Sequence, residues 1–150
     1  MGQKKQTRVG SCQKMAGGLL GLSVIDVDEV VVIGDEIVLS SNSPTDVFGV
    51  VFEDDGETGY FYALSRNGED LAILNALHIY NVQNVTDRDR PSRVTIVWSS
   101  DGWKSALIIN EHPHAVFNFS EKQAYCRTSF PKPALGWQGH EWDDQAMADF

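Results

Sequence analysis

A chain of 150 residues suits one domain and is long enough to bury a core without disulfide or metal staples. Its hydrophobic fraction of 42% and charged fraction of 22% are ordinary for a globular protein, and no apolar run approaches the roughly 18 to 20 residues of a membrane helix. The net charge is -9 and lopsided: residues 1–20 carry four bases and no acid, leaving 8 basic against 21 acidic groups, a balance that repels nucleic-acid phosphates and steers basic partners inward.

Residues 1–20 read as a flexible basic tail. "AGGLLGLSVI" is too short and glycine-rich for an export signal, and Gln6 stands where a myristoylation signal wants Ser or Thr. Residues 21–150 read as a single domain. "VIDVDEVVVIGDEIVLSS" is rich in β-branched residues and predicts one or two strands broken at Gly34-Asp35. Asn42, Ser43 and Pro44 then mark a turn.

"FGVVFEDDGETGYFYAL" predicts a hairpin with Asp55-Gly56 as a two-residue turn. That register sets Phe52 opposite Gly59 and Val50 opposite Phe61. Phe48, Val50, Phe52, Phe61 and Ala63 then share one face, and the acids Glu53, Asp54, Asp55 and Glu57 gather near the tip. As a cation loop the stretch lacks EF-hand spacing.

In "NGEDLAILNALHIYNV", Asn67 is placed as an N-cap, and Leu71, Leu74, Leu77 and His78 follow at helical spacing, which predicts a central helix. "TDRDRP" reads as a polar connector. "RVTIVWSSDGWKSALIIN" predicts a second hairpin with Asp101-Gly102 as its two-residue turn, Ile96 opposite Leu107 and Trp98 opposite Ser105. "HAVFNFSEKQAYCRTSF" predicts a third, with Phe117 opposite Tyr125 and Val116 opposite Cys126 across a three-residue loop. Trp142, Ala146 and Phe150 fall on one stripe of a predicted C-terminal helix. The expected fold is α+β: six to eight mainly antiparallel strands built from hairpins, one central helix and one C-terminal helix.

Together, "FGVVFEDDGETGYFYAL", "ILNALHIYNVQNVTDRDRPS", "IVWSSDGWKSALIIN", "PHAVFNF", "YCRTSFP" and "GHEWDDQAMADF" resemble a small bacterial family catalogued as domain of unknown function 2251. The resemblance implies one compact domain of bacterial type and carries no activity with it. Residues 1–20 stand outside the family pattern.

Two constellations compete for function. Trp137 and Trp142 lie beside Asp143 and Asp144, the make-up of an aromatic patch with an acidic rim that anchors a protein partner. With the acidity of the chain, this predicts a non-enzymatic binding module for a basic protein, in the manner of an immunity protein or antitoxin. The alternative is a small enzyme or metal-binding domain using His112, His114, Cys126 and Arg127. An H-x-H on a strand sets two imidazoles on one face, and Arg127 could activate the Cys126 thiol only if both turned the same way. Arg88, Arg90 and Arg93 form a third, basic spot suited to an anion. No nucleophile elbow, phosphate loop or dinucleotide fingerprint is present in the sequence. The reading therefore expects no cofactor, no metal, no nucleic acid and no membrane, and is compatible with a homodimer. Cys12 and Cys126 read as free thiols of a cytoplasmic protein.

Overall fold

The computed structural model describes residues 5–7, 13–14, 23–67, 70–127 and 136–150. The described strands are β1 (Lys5–Thr7), β2 (Gln13–Lys14), β3 (Ser23–Val32), β4 (Ile37–Asn42), β5 (Phe48–Asp54), β6 (Thr58–Asn67), β7 (Asp70–Asn81), β8 (Pro91–Ser99), β9 (Lys104–Ile109), β10 (His112–Asn118), β11 (Gln123–Cys126) and β12 (Gln138–Glu141). They form a five-stranded sheet, β1-β4-β5-β6-β7, and a seven-stranded sheet, β12-β11-β10-β9-β8-β3-β2. All ladders are antiparallel except β1–β4 and β11–β12.

One core lies between the sheets. Leu39, Val50, Phe52, Phe61, Leu77 and Ile79 of the first meet Val27, Ile96, Trp98, Leu107 and Phe117 of the second, and the Phe61 and Phe117 rings stack 5.1 Å apart. A second, smaller cluster covers the outer face of the larger sheet, where Val97, Ala106 and Val116 pack beneath Ala146, with Trp142, Met147 and Phe150 around it. β9 is therefore buried on both faces along most of its length, which explains why "SALII" shows no polar alternation.

The expected α+β class is wrong: the described residues form a β-sandwich whose helical content is two 3-10 turns, Val82–Asn84 and Asp144–Met147. The stretch read as a central helix is β7. Its core-facing positions are Asn75, Leu77 and Ile79, every second residue, while Leu71 and Ile73 are exposed. A register shift opposite Ala63 and Leu64 leaves Leu74 without a cross-strand partner and breaks the period-two pattern. Leu71, Leu74 and Leu77 then mimic helical spacing. Asn67 pairs with Asp70 in the antiparallel β6–β7 ladder, so it is a strand residue and not a helix cap.

The C-terminal helix is also absent. Asp143 accepts a hydrogen bond from Gln145 N at 2.9 Å and starts a single 3-10 turn, too short to repay helix nucleation. Trp142, Ala146 and Phe150 still converge on the outer cluster, so their shared face was legible and their backbone was not. No helix among the described residues is long and apolar enough to cross a membrane.

The three predicted hairpins exist with three different outcomes. In β8–β9, Ile96 pairs with Leu107 and Trp98 with Ser105, as expected, but Asp101-Gly102 is not the expected two-residue turn: the strands stop at Ser99 and Lys104, Gly102 N donates to Ser99 O, and only Gly102 of the pair has positive φ. In β5–β6 the register lies two residues further on: Phe52 pairs with Phe61 and Val50 with Ala63. An even shift preserves the faces, so all four are fully buried as expected. The loop is longer because two carboxylates organise it. Asp55 Oδ1 accepts from Glu57 N and Thr58 N, and Asp54 accepts from Gly34 N, Gly56 N and the Tyr80 hydroxyl. In β10–β11, Phe117 pairs with Ala124 and Val116 with Tyr125, one residue away from expectation. That odd slip turns Cys126 into the core.

A hairpin that the sequence reading did not single out joins β9 to β10. Ile109 pairs with His112, and Asn110 and Glu111 both adopt positive φ, 50° and 69°. This is the geometry of a type I′ turn, which favours Asn-Gly. Glu111→Gly is expected to stabilise the protein by about 0.5 to 1 kcal/mol in urea unfolding, because glycine adopts positive φ without the Cβ clash.

Candidate functional site

Two motifs distant in sequence meet at one end of the sandwich. The connector after β7 brings Asp87 and Arg90, and the start of β10 brings His112 and His114, to a half-open cleft of about 730 Å³ floored by Ile79 and Ile109. The ladder between β9 and β10 shifts register between Pro113 and Ala115, so His114 is the extra residue of a bulge. Both imidazoles of the H-x-H line this cleft, the shared face that alternate residues of a strand provide.

His114 is mostly buried, and its Nδ1 has no hydrogen-bond partner. Burial, then the positive charge of Arg127 and the nearby His112, push its pKa down to about 4. In the unfolded chain the same imidazole takes a proton near its ordinary value of about 6.5. The unfolded state thus binds more protons between these values, and stability is lost as pH falls through that window. The partial exposure of His114 reduces the effect to on the order of 1 to 2 kcal/mol. Urea midpoints measured from neutral pH down to about pH 4.5 should fall in the wild type and fall less in His114→Gln.

The alternative catalytic set does not converge. His112 and His114 line the cleft, whereas Cys126 is 2% exposed in the core, with its sulfur 3.6 Å from the His78 carbonyl oxygen. Arg127 lies on the other side: its Nε donates to Pro113 O at 2.8 Å, and its guanidinium stacks over Trp142 at 4.6 Å. No group of three or more metal-ligating side chains forms among the described residues. The three arginines of the connector also separate. Arg88 donates to the carbonyls of Val82 and Gln83, and Arg93 forms a two-pronged pair with Asp28 at 2.7 Å, which holds that carboxyl below its usual range. Arg90 lines the cleft.

The predicted partner-binding residues are split as well. Trp137 is buried, edge-on to Phe117 and Phe119, and belongs to the core. Trp142, Asp143 and Asp144 remain together in a shallow surface depression with Tyr125, Arg127, His140 and Glu141. The Trp142 indole donates to Asp144 at 2.9 Å, which fixes the half-buried ring. Glu141, Asp143 and Asp144 are exposed, and none forms an ion pair among the described residues. Tyr125 and Arg127 are members of this surface that the partner-site expectation did not include. The signal for them is structural: β11 pairs in parallel with β12 and sets Tyr125 beside His140, with ring centroids 4.9 Å apart.

A family model described as "Uncharacterized protein conserved in bacteria (DUF2251)" matches residues 31–150. An "Uncharacterized protein" of Haemophilus influenzae is 42% identical over 88 residues, which cover 59% of this chain and 55% of the relative. The matched region thus spans little more than half the length of that curated relative. No solved structure matches.

Proposed function

The chain belongs to this bacterial family, and we propose that it is a non-enzymatic binding module that captures a basic protein through Glu141, Trp142, Asp143 and Asp144. One observation carries the reading: three exposed carboxylates, with no cation partner among the described residues, surround a half-buried tryptophan held by its own hydrogen bond and a stacked arginine. Uncompensated acids speed encounter with a positive surface and reject acidic partners, and the aromatic sets the lifetime of the complex. The excess of 21 acidic over 12 basic residues extends the same attraction over a longer range. Neutralisation of a basic toxin, as an immunity protein performs it, is the cellular role this chemistry suits.

The test is quantitative capture from a lysate of the native bacterium, comparing wild type with the Asp143→Lys/Asp144→Lys variant and with Trp142→Ala. A basic protein enriched by the wild type and lost on charge reversal supports the reading. Enrichment that is acidic, or indifferent to all three substitutions in folded variants, overturns it. Circular dichroism separates loss of binding from loss of the fold.

A further inference from the structure

The cleft at the end of the sandwich is a second, independent feature, on residues that the partner surface does not use. Its charged and polar groups divide into those already satisfied and those left open. The Tyr80 hydroxyl donates to Asp54, and Asn110 holds Arg93 N and Ser92. The open charged or titratable groups are the Asp87 carboxylate, the Arg90 guanidinium and the imidazoles of His112 and His114, with the uncharged side chains of Asn84 and Thr86 beside them. Asp87 and Arg90 are neighbours on one connector, where Arg90 N donates to Asp87 O at 3.0 Å. Their side chains nevertheless form no ion pair with each other or with any described residue. Beside them lies an aliphatic floor of Ile79 and Ile109.

We propose that this cleft binds a small zwitterion with an apolar body, of the amino-acid or short-peptide type, with its carboxylate on Arg90, its ammonium on Asp87 and its side chain on the isoleucine floor. The choice among ligand classes follows from charge. A simple anion would meet Asp87 and the -9 charge of the chain, and a simple cation would meet Arg90. A zwitterion satisfies both open charges and feels no net repulsion from the body. Arginine offers a planar fork that matches a carboxylate. His114, neutral at pH 7, adds hydrogen-bonding capacity without a charge that would oppose the ammonium. A volume of about 730 Å³ accommodates either an amino acid or a peptide of a few residues.

The experiment is amide NMR titration of the full chain with L-leucine, the dipeptide Leu-Leu, 3-methylbutylamine (leucine without its carboxylate) and 4-methylpentanoate (leucine without its ammonium). The expected result is saturable shifts at Ile79, Ile109 and His114 with at least one zwitterion, and affinity for the two single-charge analogues weaker by about tenfold or more. Comparison of leucine with Leu-Leu tells a free amino acid from a peptide. Arg90→Gln should weaken the zwitterion to the level of the amine, and Asp87→Asn to the level of the acid. Both positions are exposed, so both variants should fold. Equal binding of all four probes, binding indifferent to both substitutions, or no saturable shift at the cleft overturns the proposal. Neither result bears on the surface around Trp142, so the two readings fail separately.

Discussion

Replacing Trp98 with alanine is expected to cost about 4 kcal/mol, the scale for deleting a large buried aromatic. Trp98 is fully buried, packs against Phe119 and projects from β8 toward the opposite sheet. Its indole donates to Ser41 Oγ on β4 at 2.8 Å, and Ser41 in turn donates to Asp26 Oδ2 on β3 at 2.6 Å. The three residues form a polar tie across the core between the sheets, and burial raises the Asp26 carboxyl above its usual range. Trp98→Phe keeps an aromatic ring in the core but loses the rest of the indole and its N–H, so its cost should be smaller than that of Trp98→Ala, about 1 to 3 kcal/mol. Asp26→Asn keeps an acceptor for Ser41 without the buried charge, and at neutral pH it should be neutral or stabilising. Against a total stability of roughly 5 to 15 kcal/mol, Trp98→Ala removes a large share, readable as a lower urea midpoint. A cost below about 1 kcal/mol would mean that Trp98 does not occupy the interface between the sheets.

Gly102→Ala is the second large effect, about 2 to 4 kcal/mol, from two separate causes. Gly102 has φ of 79°, where an L side chain is strained. A Cβ there would also lie 2.6 Å from Ser43 Oγ and 2.9 Å from Thr45 Cγ2. Ser43 cannot retreat freely, because its hydroxyl donates to Gly102 O at 2.9 Å and is buried. The β8–β9 turn is thereby locked to the loop between β4 and β5, which joins the two sheets at one end. Ser43→Gly in the same background should recover the share of the clash due to Ser43 and leave the Thr45 contact and the φ strain, so the double variant measures the Ser43 share.

The hairpins show what local sequence can and cannot specify. Asp101-Gly102 centres its loop on the register that the apolar pattern also demands, and both agree with the structure. At Asp55-Gly56 the dipeptide is identical, but the carboxylates of Asp54 and Asp55 bind backbone amides and draw the turn one residue further along. That competition depends on Gly34 and Tyr80, which are remote in sequence. Gly59 shows the same dependence, since the Tyr80 ring sits where its Cβ would stand. The helix misassigned to β7 has a related origin: the bulge at Leu74 scrambles a period of two into an apparent period near 3.6.

The site residues follow the same division. The acidic neighbourhood of Trp142 could be read from adjacent letters. The burial of Trp137 could not, because it needs Phe117 and Phe119 from another strand. The separation of Cys126 from Arg127 follows from strand alternation alone. The meeting of Asp87 and Arg90 with His112 and His114 depends on how the β7–β8 connector crosses from one sheet to the other.

The most direct test of the binding reading is the association rate of the captured basic partner as a function of ionic strength, measured with wild type and with Asp143→Lys/Asp144→Lys. Association by the wild type should slow steeply as salt rises, charge reversal should slow it further at low salt and flatten the salt dependence, and Trp142→Ala should act mainly on dissociation. A wild-type rate that does not change with salt, or one unaffected by reversing both aspartates, would contradict the binding reading.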